Sequence, residues 1–275
     1  MDDHGGSCRT EEWMSRRVDS AGVVDPNAGI IPAVHPISPS LVWPTSAAAS
    51  FELKFLLEPD QAAHVLAWAG QHLAVDPHAD PALGDAYKIH SVYFDTRQLD
   101  VLHRTPTFKR RKFRLRRYGD EDSVYLERKT KSGDRVAKRR TVIAGHELIR
   151  LEETFADPSW PGYWYHRTLL ARGLQPRCLL SYERIAHVGM SSDGPMRLTL
   201  DRNIHCALTN GRHFDSDYAG IPLLADRMVL ELKFRATLPV LFKRLIQEMR
   251  LNPSSVSKYR LGMTKFQGVG RCRSG

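Results

Sequence analysis

Apolar and polar positions alternate along this chain over many short stretches, separated by turn residues. In Phe51–Leu57, Phe51, Leu53 and Phe55 fall on one face, with Glu52 and Lys54 on the other. Side chains two apart on a strand point the same way, so this reads as a β-strand with one apolar and one charged side. Similar patterning predicts strands over Tyr87–Phe94, Phe108–Tyr118, Ser123–Thr130, Val136–Ile143, Pro176–Arg184, Met196–Asp201 and Arg227–Phe234. Gly119-Asp120-Glu121-Asp122 and Gly133-Asp134 carry turn chemistry and predict two successive hairpins. Pro59-Asp60 opens a helix through Leu73 with Val65, Leu66, Trp68 and Ala69 as its apolar stripe. Helical segments follow near His146–Phe155 and Tyr163–Arg172, and Leu238–Arg250 places Leu241, Leu245, Ile246 and Met249 on one face. Asp76–Asp85 reads as a loop. The pattern describes an α+β fold of seven or eight strands, antiparallel to judge by the hairpins, with flanking helices.

Residues 1–49 hold seven prolines or glycines between Gly22 and Pro44 and no sustained period, which predicts a flexible N-terminal arm. Residues 50–266 form one domain, and 267–275 read as a disordered tail. The 275-residue chain is 42% hydrophobic, enough for a sizeable core. Its four cysteines, Cys8, Cys178, Cys206 and Cys272, form no C-x-x-C pair, so neither a disulfide framework nor a zinc site is predicted. A reducing cytoplasm is the simplest location. No apolar run approaches the roughly 18 residues of a membrane span, and Met-Asp-Asp-His lacks a signal-peptide pattern.

A formal charge of +9 favours an acidic partner, and much of that charge lies inside predicted strands. Glu-x-Lys occurs three times, as Glu52-Leu53-Lys54, Glu127-Arg128-Lys129 and Glu231-Leu232-Lys233, each copy aiming a carboxylate and an ammonium to one side. The stretch Lys109–Arg117 adds Arg110, Lys112, Arg114 and Arg116 on one face, with Phe113 and Leu115 opposite. Tyr182 and Arg184 share a face, as do Arg197, Thr199 and Asp201 in front of Leu198 and Leu200. A buried charge without a partner is costly, so inward-facing charges of both signs predict a wet, polar interior. Guanidinium forks suit phosphate oxygens. Edge strands guarded by lysine and arginine would show some of the same alternation. A nucleic-acid reader should offer aromatic rings for stacking, yet Phe94, Phe113 and Phe234 alternate onto the apolar side, and no nucleic acid is expected.

Taken in order, these pieces resemble the VTC domain, the polyphosphate polymerase branch of the triphosphate tunnel metalloenzymes. The matching segments are Phe51-Glu-Leu-Lys54, Ser91-Val-Tyr-Phe-Asp-Thr96, Lys112-Phe-Arg-Leu-Arg116, Leu126-Glu-Arg-Lys129, Ser181-Tyr-Glu-Arg184, Arg197-Leu-Thr-Leu-Asp201, Leu230-Glu-Leu-Lys-Phe234 and Ser257-Lys-Tyr259. The resemblance implies a closed antiparallel barrel of about eight strands around a basic tunnel, with Mn²⁺ or Mg²⁺ held beside the phosphates. It implies transfer of the γ-phosphate of ATP onto polyphosphate. It also implies catalytic roles for Lys54, Arg114, Arg116, Lys129, Arg184, Arg197 and Lys258. Lys112, Lys131, Lys138 or Arg139, Tyr182 and Ser257 would bind phosphate, and Glu231 would hold the metal. Lys131 stands where the family's polymerases can carry a histidine. The likeness is to the stand-alone microbial form, which would work in the cytoplasm beside a separate membrane protein. The residues leave three readings open: a polymerase, a tri- or polyphosphate or nucleoside triphosphate hydrolase, and a non-enzymatic binder of polyphosphate or inositol phosphates.

Overall fold

The computed structural model of the chain describes residues 50–133, 135–214 and 220–271. The predicted arm at 1–49 and the last residues, 272–275, lie outside them. Ten strands run in the order β1 (Ser50–Leu57), β2 (Ala74–Val75), β3 (Ala86–Asp95), β4 (Arg111–Tyr118), β5 (Ser123–Ser132), β6 (Arg135–Ala144), β7 (Gln175–Ser191), β8 (Gly194–Leu208), β9 (Ile221–Pro222) and β10 (Met228–Phe234). Five α-helices accompany them: α1 (Pro59–His72), α2 (Asp100–His103), α3 (Tyr163–Arg172), α4 (Val240–Glu248) and α5 (Lys258–Arg271). All strand pairings are antiparallel. They follow β7-β3-β4-β5-β6-β1-β10-β8, and β8 pairs back with β7, so eight strands close into a ring. The two-residue strands β2 and β9 pair with β7 and β8. The narrowest seam is β6–β1, where only Val136 and Arg135 meet Ser50 and Phe51.

Closure inverts the usual distribution of polarity. Most apolar residues of the ring strands point outward and are covered by helices, leaving a largely charged and polar face inside. One apolar cluster joins Phe55, Leu198, Leu200, Leu230 and Leu232 to Val65 and Trp68 of α1 and Phe242 and Leu245 of α4. A second joins Ile89, Phe113, Leu115 and Leu126 to Tyr165 and Leu169 of α3 and Tyr259 and Met263 of α5. Phe113 and Leu115 are fully buried in that outer layer, as their alternation with Arg114 and Arg116 predicts.

The structure departs from the sequence reading in several elements. β7 and β8 are 17 and 15 residues long, where the pattern predicts Pro176–Arg184 and Met196–Asp201. Their hairpin turns at Ser192-Asp193-Gly194, and Gly194 has a φ of +116°, open only to glycine. His187 and Gly189 interrupt the alternation, but antiparallel pairing across β7–β8 carries both strands through them. The segment near 146–155 is a 3₁₀ helix over Gly145–Glu152, whose start is capped by Glu147 accepting from the Ala144 N–H. On α4, Phe242 and Leu245 are the buried pair, while Leu241, Ile246 and Met249 pack at the edge of the cluster. The chain beyond Leu238–Arg250 forms α5, and this helix continues to Arg271. Tyr259 and Met263, one turn apart, anchor it. Gly262 lets it lie against β8, where a Cβ would come within 2.4 Å of Cys206 Sγ. No helix among the described residues is long and apolar enough to cross a membrane.

Candidate functional site

The ring encloses a cavity of about 430 Å³. Eleven lysines and arginines line it: Lys54, Lys112, Arg114, Arg116, Lys129, Lys138, Arg140, Arg184, Arg197, Lys233 and Lys258. Register places them. The first and third Glu-x-Lys tripeptides pair antiparallel, so Glu52 lies opposite Lys233 and Lys54 opposite Glu231. On the other wall Arg114 faces Glu127, Glu127 faces Arg140, and Lys129 sits between Lys112 and Lys138. β7 and β8 set Arg184 opposite Asp201, and β10 sets Lys233 opposite Arg197.

The carboxylates within this interior hold the cations in place. Glu127, 1% exposed, accepts from Arg114 and Arg140 at 2.6 Å each, with Lys138 at 3.6 Å. Asp201, fully buried, receives both Nε and Nη2 of Arg184, at 2.6 and 2.8 Å, and Nζ of Lys258 at 2.5 Å. Glu52 takes Lys129 at 2.5 Å and Lys233 at 3.4 Å, and Asp76 takes Arg197 at 2.6 Å. Burial pushes each of Glu127 and Asp201 toward neutrality, but the guanidinium and ammonium groups beside them outweigh it and hold both carboxyls well below their ordinary range. Glu52 is likewise held at about 2, because Lys129, Lys233 and Lys54 together overcome burial and the repulsion of Glu231.

Glu231 differs from these. Its Oε2 meets one ammonium, Lys54, at 2.8 Å, and its side chain is 14% exposed, against 4% or less for Glu52, Glu127, Asp201 and Asp76. It is the interior carboxylate with the most room for a further partner. Among the described residues no three His, Cys, Asp or Glu side chains converge on one metal-sized point. A hard divalent cation at Glu231 would take one or two protein oxygens and complete its shell with phosphate oxygens and water, the habit of Mg²⁺ and Mn²⁺. The residues fit such an ion only together with a phosphorylated ligand.

Two cavity cations have no carboxylate partner among the described residues. Arg116, 4% exposed, donates to Ser91 and Tyr182 hydroxyls, and Lys112 donates to Ser257 Oγ at 2.9 Å. Burial, then the charges of Lys54, Lys129, Arg114 and Arg104, push Lys112 well below its ordinary range. Burial lowers Lys138 to about 7 in spite of Glu127, and Tyr118 is brought down to about 7 because Arg116 and Arg140 outweigh its burial.

Lys138 therefore carries its proton below pH 7 and loses it above. Affinity for an oligophosphate is expected to fall between pH 6 and 8 in the wild type, with a shallower fall in Lys138→Met. Comparing the two by titration calorimetry removes the ligand's own titration. Equal slopes would mean that Lys138 does not meet the ligand.

Of the residues singled out from sequence, Lys54, Lys112, Arg114, Arg116, Lys129, Lys138, Tyr182, Arg184, Arg197, Glu231, Ser257 and Lys258 line this one cavity. Two do not. Arg139 is exposed and stacks over the Trp164 ring at 4.2 Å on the outer wall, because it alternates with Lys138 and Arg140. Lys131 shares the parity of Lys129 but falls near the end of β5, where it is exposed and outside the cavity lining. Sequence reasoning missed Arg140, which bonds Glu127 and the Tyr118 hydroxyl. It lies two residues after Lys138, so strict alternation could have found it. Lys233, in the third Glu-x-Lys, was equally legible. Asp76, in a loop, gave no signal of its contact with Arg197.

Fold and cavity define a class, a closed antiparallel tunnel with a polar interior lined by many cations. The VTC domain family model matches residues 49–267, and the chain belongs to that family. No curated protein matches the chain. Among solved structures, a candidate adenylate cyclase from Bacillus halodurans is 16% identical with a TM-score of 0.47, covering 76% of this chain and 94% of that one. A candidate adenylyl cyclase from Hippeastrum, described as having a dominant triphosphatase activity, is 16% identical with a TM-score of 0.45, covering 79% and 95%. Protein PH1819 of Pyrococcus horikoshii is 13% identical with a TM-score of 0.45, covering 78% and 99%.

Proposed function

We propose that the chain is a polyphosphate polymerase that transfers the γ-phosphoryl group of ATP to a growing polyphosphate chain. The observation that carries this reading is the enclosed cavity with its eleven lining cations, set against six lining carboxylates and the buried Glu127 and Asp201 behind them. The excess positive charge calls for an oligoanion. In the reaction a terminal oxygen of the acceptor chain attacks the γ-phosphorus, the bond from that phosphorus to the β–γ bridging oxygen breaks, and ADP leaves. The acceptor oxygen is already anionic, so no proton has to be removed.

Phosphoryl transfer asks mainly for in-line positioning and stabilisation of charge on the phosphate oxygens. Lys54, Arg114, Arg116, Lys129, Arg184, Arg197 and Lys258 are assigned to the transferring and flanking phosphates, supported by Arg140 and Lys233. Lys112, Lys138, Tyr182 and Ser257 orient the chain. Their carboxylate partners keep these cations fixed before substrate arrives, which lowers the cost of reorganisation. Mn²⁺ or Mg²⁺, held through Glu231, would neutralise phosphate charge when bound.

One observation favours hydrolysis as a second reading. Tyr118 and Lys138 both line the cavity and titrate near 7, so either can take a proton from an attacking water. The deciding assay incubates the protein with ATP and each metal, and follows both polymer by gel staining and free phosphate. Polymer supports synthesis, phosphate alone supports hydrolysis, and tight polyphosphate binding with neither product makes the chain a binder. Glu231→Gln keeps size and removes charge. It is expected to weaken metal activation of turnover by about tenfold, the lower range for losing a metal-site contact. Unchanged metal dependence would remove Glu231 from that role.

A further inference from the structure

Exposed acidic and exposed basic residues gather past opposite ends of β4. β4 spans the distance between them, eight residues or about 26 Å at strand rise. After its last residue, the turn at Gly119–Asp122 and the loop before β3 set exposed Asp80, Asp120 and Glu121 on the cavity's rim. Before its first residue stand Arg104 and Arg110, both exposed, and exposed Arg260 lies on the first turn of α5, the helix that packs against α2 just ahead of Arg104.

Ser257 ties this basic end to the cavity. Its Oγ accepts from Lys112 Nζ at 2.9 Å and from the Arg260 backbone N–H at 3.3 Å. Arg110 is held by donation from Nη1 to the Gly133 carbonyl at 2.9 Å, and its own carbonyl accepts from the Lys131 N–H at 3.0 Å. Among the described residues, none of Arg104, Arg110 and Arg260 has an ion pair with a carboxylate. Asp100, four residues before Arg104, is engaged by the Thr96 hydroxyl at 2.5 Å. Burial, then Arg260 and Arg110, depress Arg104, and Arg104 in turn depresses Lys112, which places Arg104 within the field of the other three.

A group of guanidiniums with no ion pair among the described residues, continuous with an interior proposed to bind phosphate, is suited to a phosphate chain that outgrows that interior. We propose that Arg104, Arg110 and Arg260 form an external seat for polyphosphate, and that a long chain leaves the barrel past Lys112 and Ser257 at this end, the acidic rim disfavouring the other. This rests on the reading of the cavity as a polyphosphate site. It makes binding depend on chain length, because a short oligophosphate stays inside and never reaches the seat.

The test compares equilibrium binding of tripolyphosphate and of long-chain polyphosphate to the full chain. R104Q/R110Q/R260Q is set against a charge-matched control, R128Q/R167Q/R244Q, drawn from β5, α3 and α4. The rim triple is expected to weaken long-chain binding by about tenfold and leave tripolyphosphate within about twofold, with the control changing neither. Retained tripolyphosphate binding also reports an intact fold. If the rim triple loses its fold by circular dichroism, Arg260→Gln alone decides the matter, with a smaller ratio. No change in either ligand, equal loss for both in a folded variant, or equal loss of long-chain binding in the control would overturn the seat. None of these readouts uses catalysis, so a failure to make polymer would count against the polymerase reading and leave this result standing.

Discussion

Glu127→Gln is expected to lower the unfolding free energy by about 3–5 kcal/mol, the usual loss when one partner of a buried charge network is removed. That is a large share of the roughly 5–15 kcal/mol that holds a domain of this kind together. Glu127 is 1% exposed and lies between Arg114 and Arg140, with Lys138 close by. Without its charge, three cations face one another in an interior that cannot dilute them. The glutamine amide adds a donor where only an acceptor is wanted. Denaturant unfolding should show a lower midpoint with unchanged slope. Part of the loss should return when tripolyphosphate is added, since the ligand supplies the missing negative charge and binding stabilises by mass action. A variant as stable as the wild type would mean that water already screens these cations. The same network gives Arg114 a structural part as well as a place on the cavity wall. Arg114 faces the cavity, yet it is also half of the clamp on Glu127.

Lys112→Met is expected to act in the opposite sense on stability and strongly on function. Lys112 is a half-buried ammonium with no carboxylate partner among the described residues, held below its usual range by desolvation and by neighbouring cations. Replacing it with an uncharged chain of similar length relieves that repulsion. The ligand-free protein should unfold at the same temperature or higher. Turnover of ATP, or affinity for tripolyphosphate if no turnover is found, should fall about ten- to hundredfold. That range corresponds to the roughly 1.5–3 kcal/mol of a charge-assisted contact, at about 1.4 kcal/mol per decade. A cation kept at a cost in stability and needed for ligand is the signature of a functional site. The assignment fails if Lys112→Met destabilises the fold while leaving ligand affinity unchanged.

The charged faces were legible because strand alternation is strict. Phe113 and Leu115 in the outer layer, with Arg114 and Arg116 inside, follow from period two alone. The same rule places Arg139 outside and Arg140 inside, and only an inexact count of the strand obscured it. Lys131 shows the limit of parity: it says which face a side chain takes, not whether the strand still encloses the cavity at that point. The lengths of β7 and β8 were not legible, because His187, Gly189 and Asn203 carry little strand preference. Pairing with each other over most of their length is what extends them. No element is predicted over the start of α5. Its helix is fixed by Tyr259, whose hydroxyl bonds Asp95 at 2.5 Å across 164 residues of sequence.

By itself, then, the sequence determined the strands, their charged faces and the repeated Glu-x-Lys that puts carboxylate and ammonium side by side. These are consequences of spacing, and spacing is local. The tertiary structure decided which carboxylate meets which cation. Antiparallel register lays Glu52 against Lys233 and Lys54 against Glu231, and ring closure brings β8 back to β7 so that Asp201 can bind Arg184 and Lys258 together. It also decided that Glu231 keeps the most room for a further partner among the described interior carboxylates, and that Lys112 meets no counter-ion among the described residues. Both depend on distances between segments far apart in the chain, which no local pattern encodes.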